Sequence, residues 1–391
     1  MNLNDIRKEI DQIDDELCEL LCRRMECSLQ VAAYKAENHL PVFNSGREEE
    51  ILQRVGTACA ATDHHQVGYD QAAKLTFATI MDCSRALQHR QLAAGEDLRR
   101  RIAAAQKVLP PKTPTVICQG QPGAFSDEAA AKLFPCSAES EHRPTFVSSF
   151  EDVFKAVRRG DADYGILPVE NSSTGSVNEV YDFIMAYQFT ITAAVELPIQ
   201  HCLIVNPGTT LSQIERVVSH PQALSQCKDF IARHALTPIP FENTASAAKM
   251  LAECPDCKTA VIASARAASL YGLTILETSI QNVSQNYTRF IAIAREPFIP
   301  PDANKISLIF SLPHTTGSLY RILSRFSMAG LNLTKLESRP LQNGEFAYAF
   351  YLDFEGNIQH PATLDLLCAL SEELQRFNFL GNYRELSNTN C

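Results

Sequence analysis

A chain of 391 residues has room for two to four domains, each with its own core. Its formal charge of −10 argues against nucleic acid as a partner, because phosphate binding needs a basic face; a small anionic substrate would need basic residues gathered into pockets. The charged start Met1 to Asp5 is unlike a secretory signal, no stretch approaches the roughly 18 apolar residues of a membrane span, and 13 scattered cysteines read as reduced thiols, so a cytoplasmic protein is expected.

The first segment reads as wholly helical. Leu3, Ile6, Ile10, Ile13, Leu17 and Leu20 recur at spacings of three and four, one apolar stripe along a long helix. Pro41 stops it, a second helix begins near Gly46, Arg47 and Glu48, and a third spans roughly Gln66 to Gln91. So few helices bury too little alone, and dimerisation is the simplest remedy. Residues 93–113, ending in Pro110 and Pro111, read as a helical tail and linker. From Pro114, short β-branched runs alternate with helices, predicting an α/β region with a largely parallel sheet in two lobes. Pro297 to Pro301 marks a second boundary, after which the order is βαββαβ, the ferredoxin-like class. The expected domains are 1–92, 114–296 and 303–386.

Polar residues in the helical segment suggest a pocket. Arg24 and Lys35, eleven apart, fall about 20° from each other around a helix, whereas Arg7 lies on another face. Ser84 and Gln88 are one turn apart. With the stretches IRKEIDQIDDELCELLCRRM, VAAYKAEN, GREEEIL and SRALQ, the segment resembles the all-α chorismate mutases. The resemblance implies an intertwined homodimer in which Arg7 reaches the other subunit's site. It casts Arg7 and Arg24 as holding carboxylates, Lys35 and Gln88 as addressing the ether oxygen, and Glu48 as taking the substrate hydroxyl, with Arg47 and Ser84 completing the pocket. A Claisen rearrangement needs only a clamp for a compact dianion and donors for developing charge, so no cofactor or metal is expected. Asn44 stands where the family commonly has an acidic residue, which implies reduced mutase activity.

Four polar clusters close strands of the α/β segment: Gly120 to Ser126 (GQPGAFS), Pro168 to Ser176, Ser219 to Gln226, and Asn286 to Phe290. The first is a weak anion-binding signal and is not the GxGxxG of a dinucleotide fold. Clusters at strand ends suggest one shared cleft. The runs PVENSSTGSVNEVYD, SHPQALSQC and NYTRF resemble prephenate dehydratase. That family implies two lobes like bacterial periplasmic solute-binding proteins, with the active site between them. It casts Thr288 as donor to the leaving hydroxyl and Arg289 as carboxylate ligand, with Glu170, Asn171, Ser219 and Gln226 lining the cleft.

In the last segment Gly317 to Tyr320 (GSLY) opens a helix and Glu337 to Pro340 (ESRP) ends a strand. On a βαββαβ frame these resemble an ACT domain that binds phenylalanine through Gly317, Ser318, Leu319, Asn332, Glu337, Ser338 and Arg339, implying allosteric inhibition. The expected substrates are chorismate and prephenate. The CxxC spacing of Cys254 and Cys257 lacks the second pair or histidines of a metal site. A non-catalytic sensor would have no reason to keep Thr288 and Glu48 together, and a mutase–dehydrogenase would need a dinucleotide-binding turn.

Overall fold

The computed structural model describes residues 2–62, 66–107, 114–135, 144–283, 285–340, 348–374 and 376–387. Pro110 and Pro111 of the expected linker therefore lie outside the described residues. The chain divides into two compact units, Met1–Ala104 with Ile306–Phe379 and Ala105–Lys305 with Leu380–Cys391.

The first unit begins with four helices: α1 (Leu3–Glu37), α2 (Ser45–Ala60), α3 (Tyr69–Gln91) and the short α4 (Glu96–Ala104). A capping box between Asn2 and Asp5 starts α1, and no glycine or proline interrupts it. Its 35 residues make a rod about 52 Å long. The half near its C-terminus packs on α3 through Ser28 and Ala32. The apolar stripe of the other half, Leu3 to Leu20, is 41–61% exposed. Asn44 caps α2, its side chain accepting from Arg47 N at 3.0 Å.

The second unit is a two-lobed α/β body. The first lobe contains β1 (Val116–Gln119), α5 (Phe125–Leu133), β2 (Thr145–Val147), α6 (Phe150–Arg159), β3 (Tyr164–Asn171), β4 (Gly175–Ser176), α7 (Asn178–Tyr187) and β5 (Thr190–Pro198). The chain then crosses to a second lobe of β6 (Cys202–Val205), β7 (Arg216–Ser219), α8 (Pro221–Gln226), α9 (Lys228–Arg233), β8 (Thr237–Pro240), α10 (Thr244–Glu253), β9 (Thr259–Ala263), α11 (Ala265–Leu270) and β10 (Thr274–Glu277). It returns through β11 (Tyr287–Ala294), which enters the first sheet between β3 and β5, antiparallel to both. The second sheet has the order β10-β6-β9-β7-β8. Both sheets are mixed, not largely parallel as the sequence predicts. Alternating β-branched runs do not reveal that a returning strand will be inserted in the opposite sense. Ile166, Val195, Phe290 and Ala292 are buried in the core of the first lobe, and Val218, Leu251, Val261 and Ala263 in that of the second.

The C-terminal segment is β12 (Lys305–Leu312), α12 (Ser318–Met328), β13 (Leu333–Pro340), β14 (Tyr348–Glu355), α13 (Pro361–Glu373) and β15 (Phe377–Leu386), with strand order β13-β14-β12-β15. This is the ferredoxin-like βαββαβ order the sequence predicts. Within the first unit, α12 and α13 pack on α3, and α13 also packs on α4. Gly95 makes one of these approaches: its φ is +75°, and a Cβ there would sit 2.5 Å from Cys368 Cβ.

Candidate active sites

Helix α3 buries Met81, Asp82, Ser84, Arg85, Gln88 and His89, an unusually polar inner face. A helix that spends its buried face on polar groups is building a site or an ion-pair network, and α3 does both. Arg24 of α1 donates from Nη1 to Ser84 Oγ at 2.6 Å, and Ser84 donates onward to Ile80 O at 2.9 Å. Lys35 Nζ reaches Gln88 Oε1 at 3.3 Å and also donates to Val42 O. Burial lowers the pKa of Lys35, and the nearby Glu48 carboxylate opposes that shift. The fold thus brings together Arg24, Lys35, Glu48, Ser84 and Gln88. It does not bring in Arg7, which is exposed, or Arg47, whose guanidinium is in solvent paired with Glu50 at 2.6 Å. Asn44 is likewise exposed and occupied as a helix cap.

Beside this pocket lies a network that sequence reasoning missed. Arg85 binds both Glu48 and Asp82, and its Nε is 3.5 Å from Glu373 of α13. Arg321 of α12 lies 3.1 Å from Glu48 Oε2 and 3.3 Å from Asp82 Oδ1. Arg325 grips Glu373 with two bonds of 2.9 and 2.7 Å, and His89 Nε2 is 2.8 Å from the same carboxylate. Burial alone would raise the pKa of Glu373, but His89, Arg325 and Arg85 together bring it down to about 2. The Asp82, Arg85 and His89 spacing on α3 was the available signal for this face. Its partners at 321, 325 and 373 are too distant in sequence to read.

In the second unit, residues from all four polar clusters line one cavity of about 240 Å³ between the lobes. Gln119, Gly120, Phe125 and Ser126 come from the first cluster and its strand, Pro168 and Asn171 from the second, His220, Gln222 and Gln226 from the third, and Thr288 and Phe290 from the fourth. Asn171 organises the centre. Its Nδ2 donates to Thr288 Oγ1 at 2.9 Å and to Asn286 Oδ1 at 2.8 Å, while its Oδ1 accepts from the amides of Ser173 and Thr174, both at 3.0 Å. Because Thr288 Oγ1 accepts from Asn171, its own proton is free to point elsewhere.

Three expected residues stand apart from this cavity. Side chains alternate along a strand, so with Thr288 and Phe290 facing the cavity, Arg289 faces the other way. Its Nη2 donates to Tyr383 OH at 2.7 Å and its Nε pairs with Glu385 at 2.5 Å. Arg289 therefore faces away from the cavity that Thr288 and Phe290 line. Glu170 is opposite Arg289 in the strand register and is also absent from the cavity lining. Ser219 is fully buried and donates to Ile262 O at 2.6 Å, while its neighbour His220 lines the cavity. Sequence reading missed His201, which lines the cavity with Nε2 2.8 Å from Gln226 Oε1 and whose pKa burial pushes down. Among the described lining residues none is lysine or arginine. The first turns of α5 and α10 open at the cavity, and helix N-termini favour an anion.

In the C-terminal segment, Gly317 caps α12 with φ +81° and no side-chain cap bond. Ser318 Oγ is 2.6 Å from Thr315 Oγ1, and Leu319 follows in the first turn. Asn332 donates to Glu355 at 3.1 Å. Glu337, Ser338 and Arg339 lie on β13, where Glu337 is 3.5 Å from Lys335 and 3.9 Å from Arg339.

The profile of chorismate mutase type II matches residues 6–89, and that of prephenate dehydratase matches residues 116–298. A chain that joins a chorismate mutase domain to a prephenate dehydratase domain is the class these matches define. Among curated relatives, arogenate dehydratase 3 of Arabidopsis thaliana is 38% identical over 68% of this chain, which spans 66% of that protein. The bifunctional chorismate mutase/prephenate dehydratase of Enterobacter agglomerans is 32% identical over 97% of this chain and 95% of its own length. The chain belongs to the bifunctional chorismate mutase/prephenate dehydratases. Two solved structures are similar. GqqA, a novel type of quorum quenching acylase, has TM-score 0.62 and 31% identity, covering 70% of this chain and 98% of that one. Prephenate dehydratase of Arthrobacter aurescens in complex with L-Phe has TM-score 0.61 and 30% identity, covering 69% of this chain and 89% of that one.

Proposed function

We propose that the chain makes phenylpyruvate from chorismate in two steps and is restrained by phenylalanine. In the first site Arg24 clamps a carboxylate of chorismate, Lys35 and Gln88 donate to the ether oxygen as the bond breaks, and Glu48 accepts from the ring hydroxyl. Donors placed at developing charge supply the acceleration of a rearrangement that needs no nucleophile. Asn44, spent on capping α2, adds no charge to this pocket. The exposed stripe from Leu3 to Leu20 supports a homodimer formed along α1, since an apolar face this long is costly in water. Arg7, exposed on the same helix, would then serve the other subunit's site.

In the second site prephenate loses its ring hydroxyl and its carboxylate together as the ring becomes aromatic. Thr288 donates to the departing hydroxyl. The observation that carries this is the Asn171 Nδ2 bond of 2.9 Å to Thr288 Oγ1 in the cavity wall, which leaves the threonine proton for the substrate. The α5 and α10 N-termini, not Arg289, hold the carboxylates. Prephenate and arogenate both carry two carboxylates and differ in a side-chain keto group against an ammonium, and the similarity to plant arogenate dehydratases makes arogenate a second substrate to assay. Phenylalanine is held at the start of α12, where uncapped amides favour a carboxylate. Arg339 supports the reading, with two guanidinium nitrogens buried without a hydrogen-bond partner among the described residues. The similarity to a dehydratase solved with L-Phe points the same way. A cytoplasmic setting is in keeping with the free thiols of the described cysteines.

Incubation with chorismate, with and without phenylalanine, tests the whole. Phenylpyruvate should form and phenylalanine should slow it. Thr288→Ala should lower dehydratase kcat by about 10²–10⁴ and leave mutase turnover intact; near-wild-type dehydratase turnover would remove Thr288 from the mechanism.

A further inference from the structure

Glu48 carries the substrate hydroxyl in the mutase reading above, and the following rests on that reading. Its carboxylate is held at both oxygens: Arg85 of α3 takes Oε1, and Arg321 of α12 lies 3.1 Å from Oε2. Arg321 is 273 residues away in sequence and belongs to the βαββαβ segment, not to the helical segment that holds every other group of the pocket. It is fixed by its own helix. Arg325, one turn further along α12, is locked to Glu373, and Glu373 contacts His89 and Arg85 of α3.

Charge accounts for why the pocket needs this cation. Glu48, Asp82 and Glu373 face the guanidinium groups of Arg85, Arg321 and Arg325, three against three, with Lys35 near enough for its charge to interact with Glu48. The Glu48 and Asp82 side chains are only 15% and 1% exposed, so water does little to replace a lost partner. We infer that Arg321 is a positioning residue of the mutase site, supplied by the C-terminal segment, which sets the Glu48 carboxylate for the substrate hydroxyl and offsets negative charge where a dianion must bind. A carboxylate has about four lone-pair positions, so two arginines leave room for the hydroxyl.

The hydroxyl bond exists in ground state and transition state alike, so its loss should appear in KM. In the full-length chain, Arg321→Gln should raise the chorismate KM about tenfold with kcat changed less than about threefold, and Arg321→Lys should recover most of that KM. Prephenate dehydratase kinetics of the same preparations should match wild type, which reports on folding. Unchanged KM in Arg321→Gln overturns the inference. A fall in kcat at constant KM, equal in the Gln and Lys variants, would mean structural support only and overturns it too. The wild-type chain's own mutase turnover separately tests the reading beneath it, and an inactive wild type would overturn both.

Discussion

Replacing Asn171 by aspartate exchanges one NH2 for an oxygen and keeps the shape, yet it reverses the hydrogen bonding at Thr288. In the native chain Asn171 Nδ2 donates to Thr288 Oγ1 at 2.9 Å. Its Oδ1 accepts from the amides of Ser173 and Thr174 at 3.0 Å and from Thr174 Oγ1 at 3.1 Å. Those three donors would survive in Asn171→Asp and would hold the new carboxylate ionised at neutral pH. An ionised carboxylate only accepts, so Thr288 would turn its proton toward residue 171 and away from the departing hydroxyl. A single positioned donor at developing charge is worth about 10²–10³ in kcat, and general acid help spans about 10²–10⁴. The expected loss in prephenate turnover is therefore about 10²–10³, with chorismate rearrangement unchanged. Phenylpyruvate formation from prephenate at pH 8, corrected with an enzyme-free blank, measures it. A variant that folds like wild type and turns over within threefold of it would show that the direction of the Thr288 proton carries no catalytic weight.

Glu373 makes the first unit sensitive to acid. Its folded pKa of about 2 lies below the ordinary 4.5, so the stability it contributes is present above 4.5 and is lost as pH falls toward 2. The span corresponds to roughly 3 kcal/mol, and Glu373→Gln should flatten that part of the acid-unfolding curve; an unaltered curve would mean that the carboxylate is not ion-paired. Gly95→Ala should destabilise the same unit by about 2–4 kcal/mol, combining left-handed strain with overlap on Cys368, and calorimetry should show a lowered Tm. A native Tm would show that Gly95 is not packed there. Ile13→Glu with Leu17→Glu places charge in the exposed α1 stripe and should weaken self-association at least about a thousandfold by sedimentation. A wild-type chain that is monomeric, or a double variant with unchanged mass, would refute dimerisation along α1.

Much of this protein is local and therefore written in sequence. The long α1, a second helix starting near Gly46 and the βαββαβ order follow from periodicity and punctuation, which act within a few residues. The polar clusters that hold Thr288, Asn171 and Gln226 were visible at strand and helix ends, but family likeness assigned those three their places in the cleft; Arg24, Lys35, Ser84 and Gln88 stood out because helical spacing aligns them. Family likeness also named Arg289, Glu170 and Ser219 for the cleft. The side-chain alternation of β11 could have warned that Arg289 and Thr288 face opposite ways.

Tertiary structure decided the rest. Which residues close the charge of a buried carboxylate depends on groups brought together from distant parts of the chain. Arg321 and Glu373 could not be assigned to Glu48 and His89 without the packing of α12 and α13 on α3. His201 is an ordinary strand-edge histidine in sequence and becomes a cavity residue only once the lobes close around it. Periodicity gave α1 an apolar stripe; the fold left that stripe uncovered within the chain, because the helices available to pack on α1 meet only its C-terminal half. Sequence sets the identity and spacing of chemical groups along each element, whereas burial and charge compensation are properties of surfaces that meet only in three dimensions.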